Sequence, residues 1–382
     1  MTSDSAAQLA KSIASSTLAN AAAENDRLGR FSSEAISALS AAGLLGMMLP
    51  SDVGGGAQGP RALADVVAAL AEADASVAMV FLMHTLAALT IAAAPRTPAL
   101  DRVLGDIAAG RHVSTLAFSE AGSRSHFWAP VSRAISLNGS GARISARKSF
   151  VTAAGHVDSY VASALAPNGS GPTDSTLYLI DAKTPGLTVA APWDGLGLRA
   201  NASSALTLDG CVVSADRRLT EDGAGFATML NVVLPMFNVG QAAVSLGICR
   251  SAVAATVSHL KSARFEHMGA TLGEALPNLR AQVATMQVET DGLAARLEDT
   301  LRHLESPGEL TVLRVLEVKA AACETAIAVT SLAMRTCGGA AFSRQSGIER
   351  VFRDAQAGAV MAPTTDVLRE FIGKALLGLP LF

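Results

Sequence analysis

From Met1 to about Gly110, hydrophobic positions recur at helical spacing. Phe31, Ala35, Ile36 and Leu39 form one apolar stripe, and Gly43 is placed to stop it. The run Leu49-Pro50-Ser51-Asp52-Val53-Gly54-Gly55-Gly56 reads as a connector, because the Lys-Ser/Thr that a phosphate cradle needs does not follow it. Helix is predicted again from Arg61 to about Ala94, where Pro95 and Pro98 end it, and then from Leu100 to Ala109. Ala75–Ala94 is long enough to span a bilayer. It carries His84 near its middle with Ser76, Thr85, Thr90 and much Ala, which predicts a helix buried in an all-α domain.

At Val113 the period changes. Val113–Phe118, Val131–Leu137, Ala142–Thr152, Val157–Ala164, Thr176–Asp181, Leu187–Ala190 and Ala205–Val213 are short, rich in β-formers and separated by Gly, Pro, Asn and Asp. Strands this close, with no helices between them, predict an antiparallel sheet or barrel, with Asn168–Pro172 as a surface loop. From about Gly223 the helical period returns. Leu279, Val283, Met286, Leu293, Leu297 and Leu301, with Thr290 in step, form one face of a long helix started by Pro277. Further helices are expected from Glu309 to Thr336 with a stop at Gly338-Gly339, from Ile348 to Ala357, and from Thr364 to Leu377. The expected architecture is α+β in three parts: an N-terminal α-helical domain (1–112), a middle antiparallel β domain (113–222) and a C-terminal four-helix bundle (223–382).

Composition narrows the function. Of 382 residues, half are hydrophobic, only 16% are charged, and the net charge is −3, which suits a buried oligomer surface better than a highly charged free one. No basic cluster points to nucleic acid. Cys211, Cys249, Cys323 and Cys337 lie far apart without a CxxC, as reduced thiols of an intracellular protein do, and no metal site is expected. Residues 1–20 lack a basic-then-apolar signal pattern, so a soluble cytoplasmic protein is expected, with no membrane partner. No GxGxxG follows a strand, which argues against a Rossmann domain.

Two stretches carry the candidate chemistry. Leu116-Ala117-Phe118-Ser119-Glu120-Ala121-Gly122-Ser123 and Ile144–Gly155 are apolar or β-branched runs that stop at small and polar residues. Turns of this kind present backbone N–H groups, hydroxyls and an aromatic face together, which suits a planar polar heterocycle.

In order and spacing these segments resemble the acyl-CoA dehydrogenase family, and the likeness covers nearly the whole chain. The family motif A-x-T-E-P-G-A-G-S-D is matched by Ala117–His126, with Ser119 for Thr and Ala121 for Pro. The resemblance implies that Phe118 and Ser119 meet a flavin and that Ser125 lies towards a thioester carrier. Arg124 and His126 replace the family's small and acidic residues. The W/F-I-T-N motif is matched from Phe150 to Ala153, which implies that Phe150 flanks the isoalloxazine and that Thr152 hydrogen-bonds near its reactive nitrogen. Gly195–Ala200 with Leu206–Asp209 resembles the M-G-x-R-x-S segment.

In the C-terminal part, Ser262-Ala263-Arg264-Phe265-Glu266-His267-Met268-Gly269 resembles R-x-x-F-G at a spacing one residue longer, and Arg264 is expected on the cofactor pyrophosphate of a neighbouring subunit. Arg335-Thr336-Cys337-Gly338-Gly339 resembles Q-x-x-G-G, followed as in the family by Glu349–Ala355. The likeness implies FAD, held by Phe118, Ser119, Phe150, Thr152, Arg264, Arg335, Gly338, Gly339 and Thr364. It also implies an acyl thioester substrate on CoA or a carrier protein, and a homotetramer.

One element breaks the pattern. The family's Y-E-G-T Glu falls at Ala362, and the helix that carries the base in other members reads Phe237-Asn238-Val239-Gly240-Gln241, also without an acid. Asp366 and Glu370, one and two helical turns beyond Ala362, are the candidate relocated bases, with His84 and His126 as further possibilities. Three functions fit: a thioester dehydrogenase with a relocated base, a flavin-dependent monooxygenase on the same fold, or a catalytically degenerate subunit of a hetero-oligomer. The electron acceptor is not specified by the sequence.

Overall fold

The computed structural model describes residues 2–191 and 194–382. Helix α1 (Ser3–Ile13) runs through a π-helical turn (Ala14–Leu18) into α2 (Ala19–Leu28), and α3 is Ser33–Ala41. The apolar run after Arg61 forms two helices, α4 (Pro60–Ala73) and α5 (Ala75–Ala92), followed by α6 (Pro98–Ala108). The break falls at Asp74, whose carboxylate accepts the N–H groups of Ser76 and Val77 and so caps α5.

Helix α5 is apolar on every side because it is buried on every side. Its hydroxyls are satisfied within the helix: Thr85 Oγ1 donates to the Phe81 carbonyl at 2.9 Å and Thr90 Oγ1 to that of Leu86 at 2.8 Å.

The middle part holds β1 (Ser114–Ala117), β2 (Ile135–Ser136), β3 (Gly141–Val151), β4 (Ser159–Leu165), β5 (Ser175–Asp181), β6 (Leu187–Val189) and β7 (Ser204–Ser214). They form two sheets, ordered β1-β4-β5 and β2-β3-β7-β6. The antiparallel expectation needs one correction: β1 pairs with β4 in parallel, Ser114 opposite Ser159 and Ala117 opposite Ala162. A second concerns Val131–Leu137, of which only Ile135 and Ser136 are strand. The reason is a side chain eleven residues back, since the backbone N–H groups of Val131 and Ser132 donate to the Glu120 carboxylate instead of to a strand.

The C-terminal part begins with α7 (Gly225–Thr228), a π-helical turn and α8 (Leu234–Ser262). A hairpin of β8 (Arg264–Phe265) and β9 (Ala270–Thr271) leads through α9 (Leu272–Ala275) to α10 (Pro277–Glu305) and α11 (Thr311–Cys337). The stripe from Leu279 to Leu301 is buried, with Val283 at its margin. α11 packs along α8 and α10, and α12 (Ile348–Val360) and α13 (Thr365–Leu376) close the bundle against it.

Candidate functional site

The three parts meet around one cavity of about 820 Å³. The turn after β1 gives it Phe118, Ser119, Glu120, Arg124 and Ser125, and the end of β3 gives Ser149, Phe150 and Thr152. Gly197, Leu198, Asn201 and Ser203 close another side, Met79 and Met83 come from α5, and Phe237 comes from α8. The last wall is the end of α12 and the segment after it, Val360, Met361, Ala362 and Thr364.

The two motif segments are joined directly: the Ser149 N–H donates to the Ser119 carbonyl at 2.9 Å. Burial alternates along β3, so that Ala142, Ile144, Ala146 and Lys148 share the inward face. The β3–β7 register then slips between Lys148 and Val151, and Phe150 sits in the left-handed region at φ 56. That bulge turns Phe150 out of the sheet, leaving it 71% exposed at the cavity edge. Thr152 is buried, with its Oγ1 3.5 Å from the Ser203 hydroxyl. Phe118 is buried and stacks on Phe127 with ring centroids 6.3 Å apart.

Burying Lys148 in the core has a matching cost and remedy. Its Nζ donates to Glu120 Oε1 at 2.6 Å and to the Ser163 carbonyl at 2.5 Å. Glu120 Oε2 accepts the Val131 N–H at 3.1 Å, the Ser132 N–H at 2.9 Å and the Ser132 hydroxyl at 2.9 Å. Both carboxylate oxygens are therefore spent on structure. Burial pulls the Lys148 ammonium below its usual pKa, and Glu120 opposes that shift.

Two further buried groups hold the other walls. Asp354 of α12 accepts the Leu198 N–H at 2.6 Å, and burial pushes its carboxyl up to about 7 against that hydrogen bond. A side chain at Gly197 would meet the Arg353 carbonyl at 2.4 Å, so the loop lies directly on α12. Lys319 of α11 is fully buried, and its Nζ donates to the carbonyls of Gly358, Met361 and Pro363 at 3.2, 3.1 and 2.7 Å. These bonds tie down the backbone on either side of Ala362.

Sequence reasoning missed Glu120, Lys148, Asp354 and Lys319 as organisers of the site. The signal for Lys148 was its parity: it falls on the same side of the strand as Ile144 and Ala146. Of the expected site residues, the fold brings Phe118, Ser119, Ser125, Phe150, Thr152 and Thr364 to the cavity. Arg264, Arg335, Gly338 and Gly339 do not line it. Arg264 donates to the Gly269 carbonyl across the β8–β9 hairpin at 2.8 Å, and the other three are exposed at the end of α11.

The candidate bases need correction. Asp366 is 94% exposed beside Arg369, and Glu370 is 68% exposed beside Lys374. Both lie on an exposed face of α13, and neither lines the cavity. His84 is a structural residue: its Nδ1 accepts the Ser114 N–H at 3.1 Å, its Nε2 faces the Leu45 carbonyl at 3.1 Å, and burial pushes it down to about 4. His126 is exposed and stacks on Trp128 at 4.9 Å. Among the described residues no group of three or more His, Cys, Asp or Glu could hold a metal.

The cavity suits a planar heterocycle. Hydroxyls at Ser119, Thr152 and Ser203 supply directional contacts, and the bulged Phe150 brings an aromatic ring to the cavity edge. Comparisons with known proteins agree. The N-terminal, middle and C-terminal domain models of acyl-CoA dehydrogenase match residues 3–111, 115–211 and 223–377. Cyclohex-1-ene-1-carbonyl-CoA dehydrogenase of Geobacter metallireducens is 26% identical over 370 residues, covering 97% of this chain and 96% of that protein. The amino sugar nitrososynthase DnmZ of Streptomyces peucetius is 26% identical over 355 residues, covering 89% and 85%. Among solved structures, PigA with FAD and proline superposes with a TM-score of 0.90 at 19% identity, covering 99% of this chain and 97% of that one. Matched from end to end by all three domain models, the chain belongs to the acyl-CoA dehydrogenase family, as a flavoprotein oxidoreductase whose cofactor is FAD.

Proposed function

We propose that this protein is an FAD-dependent monooxygenase on the acyl-CoA dehydrogenase fold. One observation carries the reading: among the described residues lining the cavity, the sole carboxylate is Glu120, and Lys148, Val131 and Ser132 occupy both of its oxygens. Dehydrogenation of a thioester needs a group that accepts the α proton, and a positioned base is worth roughly 10²–10⁴ in rate. At the family's base position stands Ala362, and the helix that carries the acid in other members turns Phe237 to the cavity. Oxygenation makes no such demand.

Bound FAD, once reduced by an external donor, supplies two electrons to O₂, so that one oxygen atom enters the substrate and the other leaves as water. The chain's own part is to bind and to exclude water. Met79, Met83, Phe237 and Met361 make an apolar wall, and the hydroxyls of Ser119 and Thr152 orient the polar edge of what binds. The likeness to a nitrososynthase supports chemistry other than acyl dehydrogenation on this frame. The likeness to an acyl-CoA dehydrogenase of equal identity supports the second reading, dehydrogenation of an unusual acyl thioester on CoA or a carrier protein.

Anaerobic spectroscopy separates the two. Under the first reading, butyryl-CoA and octanoyl-CoA leave the flavin oxidised, whereas dithionite-reduced enzyme reoxidises quickly in air. Rapid bleaching by either thioester would overturn it.

The reading includes a homotetramer. Arg264, Arg335, Gly338 and Gly339 are exposed outside the cavity lining of their own chain, and the neighbouring Phe342 is 86% exposed. Such a surface suits contact with a second copy, whose FAD these residues would reach. A stable, FAD-loaded monomer in sedimentation would rule this out.

A further inference from the structure

Arg124 stands where the family motif has a small residue, and its surroundings give it a specific task. It lies at the apex of the turn that leaves β1, in the left-handed region at φ 52, a conformation that costs a non-glycine residue free energy. The turn is tightly fastened. Ser123 Oγ donates to the Glu120 carbonyl at 3.0 Å and accepts the Glu120 N–H at 3.2 Å, and the His126 N–H donates to the Ser123 carbonyl at 3.0 Å. Glu120 is itself anchored by Lys148. The backbone beneath Arg124 is thus fixed from below while its side chain stays exposed and lines the cavity.

Its guanidinium has no ion pair and no hydrogen bond among the described residues. The cavity's other charge, Glu120, is already neutralised by Lys148. Arg124 therefore leaves one uncompensated positive charge on a cavity whose remaining lining is apolar or bears neutral hydroxyl and amide groups. A guanidinium presents a planar fork of donors matched to an oxyanion.

We propose that Arg124 is the anion-recognition residue of this cavity, pairing with a phosphate or carboxylate oxyanion of the molecule bound there. The inference rests on the cavity being the cofactor and substrate site, and not on whether the reaction is oxygenation or dehydrogenation. Two sources of the oxyanion have the same chemistry, the pyrophosphate of FAD and an acidic group on the substrate.

Titrations on the full-length protein distinguish them. FAD affinity is read by fluorescence quenching on the apoprotein, and the FAD-loaded protein is titrated with coenzyme A and with octanoate by flavin difference absorbance. Wild type is compared with Arg124→Gln and Arg124→Lys, with thermal melting as the check on folding. A loss of about tenfold or more in Arg124→Gln, with Arg124→Lys intermediate because it keeps the charge without the fork, is expected in at least one titration. Loss in the FAD titration assigns the residue to the cofactor. Loss confined to a probe assigns it to the substrate. Arg124→Gln indistinguishable from wild type in all three titrations, including the case in which neither probe binds, would overturn the proposal. No reductant or turnover is involved, so failure here leaves the oxygenation reading standing, and acyl-CoA bleaching would leave this one standing.

Discussion

Lys148 Nζ and Glu120 Oε1 lie 2.6 Å apart with their side chains 0% and 2% exposed, and they fasten the two strand ends that build the cavity. Removing one partner of such a pair strands the other charge out of water, at a cost of about 3–5 kcal/mol. Glu120→Gln and Lys148→Met are each expected to lower the melting temperature strongly. A well-packed apolar replacement of both partners is expected to recover much of the loss, since the pair's own desolvation is then avoided. FAD content measured alongside melting tests the link to function: the single variants should lose flavin before they unfold, because Ser119 and Ser149 are the sequence neighbours of the two charged residues.

Phe150 is coupled to the fold in the opposite way. It is exposed on a bulge at the cavity edge, outside the buried core of the chain. Stacking on an aromatic partner is worth about 0.5–1.5 kcal/mol. Phe150→Ala is expected to weaken FAD retention by about two- to tenfold, with melting of the apoprotein unchanged. A large fall in apoprotein melting would show that the ring serves the fold instead.

The uneven legibility of the chain has physical causes. Long periodic runs such as Leu279–Leu301 were readable because one face is buried over many turns. The motif residues around Ser119 and Phe150 were readable as strand ends rich in small and polar groups. Val131 was misread as strand because its N–H is claimed by a carboxylate eleven residues away, a contact that no local pattern announces. Asp366 and Glu370 were placed by helical arithmetic from Ala362. The segment between Ala362 and α13 is not helical, and the Thr364 cap starts a new axis, so the spacing did not carry over. Arg124 was visible only as a departure from a motif, and its meaning needed the cavity.

His84 makes a pH prediction with a definite sign. Its Nδ1 accepts the Ser114 N–H, so a protonated ring would set two N–H groups against each other in a buried site. Burial pushes its pKa down to about 4 from the usual 6.5, with His112 and Asp158 as weaker neighbouring influences. Because the folded value is depressed, the contribution is fully present above 6.5 and is lost as pH falls towards 4, on the order of 3 kcal/mol in all. Wild type is expected to lose melting temperature between pH 6.5 and 4. His84→Gln should start lower at pH 7 and fall less steeply through that window. Parallel pH profiles for the two proteins would assign the acid sensitivity to other groups.

Ala362 permits the reverse experiment, adding what the site lacks. Lys319 holds the carbonyls of Met361 and Pro363 on either side of it, so the backbone there is already fixed at the cavity wall. Ala362→Glu would place a carboxylate among apolar residues including Met361 and Phe237, where burial raises a carboxyl pKa towards the range useful to a base. If the missing base is what separates this protein from an acyl thioester dehydrogenase, the variant should gain bleaching by butyryl-CoA or octanoyl-CoA, by about 10²–10⁴ over wild type. Asp366→Asn and Glu370→Gln, both on an exposed face of α13, should change neither wild type nor the variant. An Ala362→Glu protein that keeps its flavin and melts normally, yet shows no gain with either thioester, would mean that the cavity rejects the substrate itself and that the base is not the deciding difference.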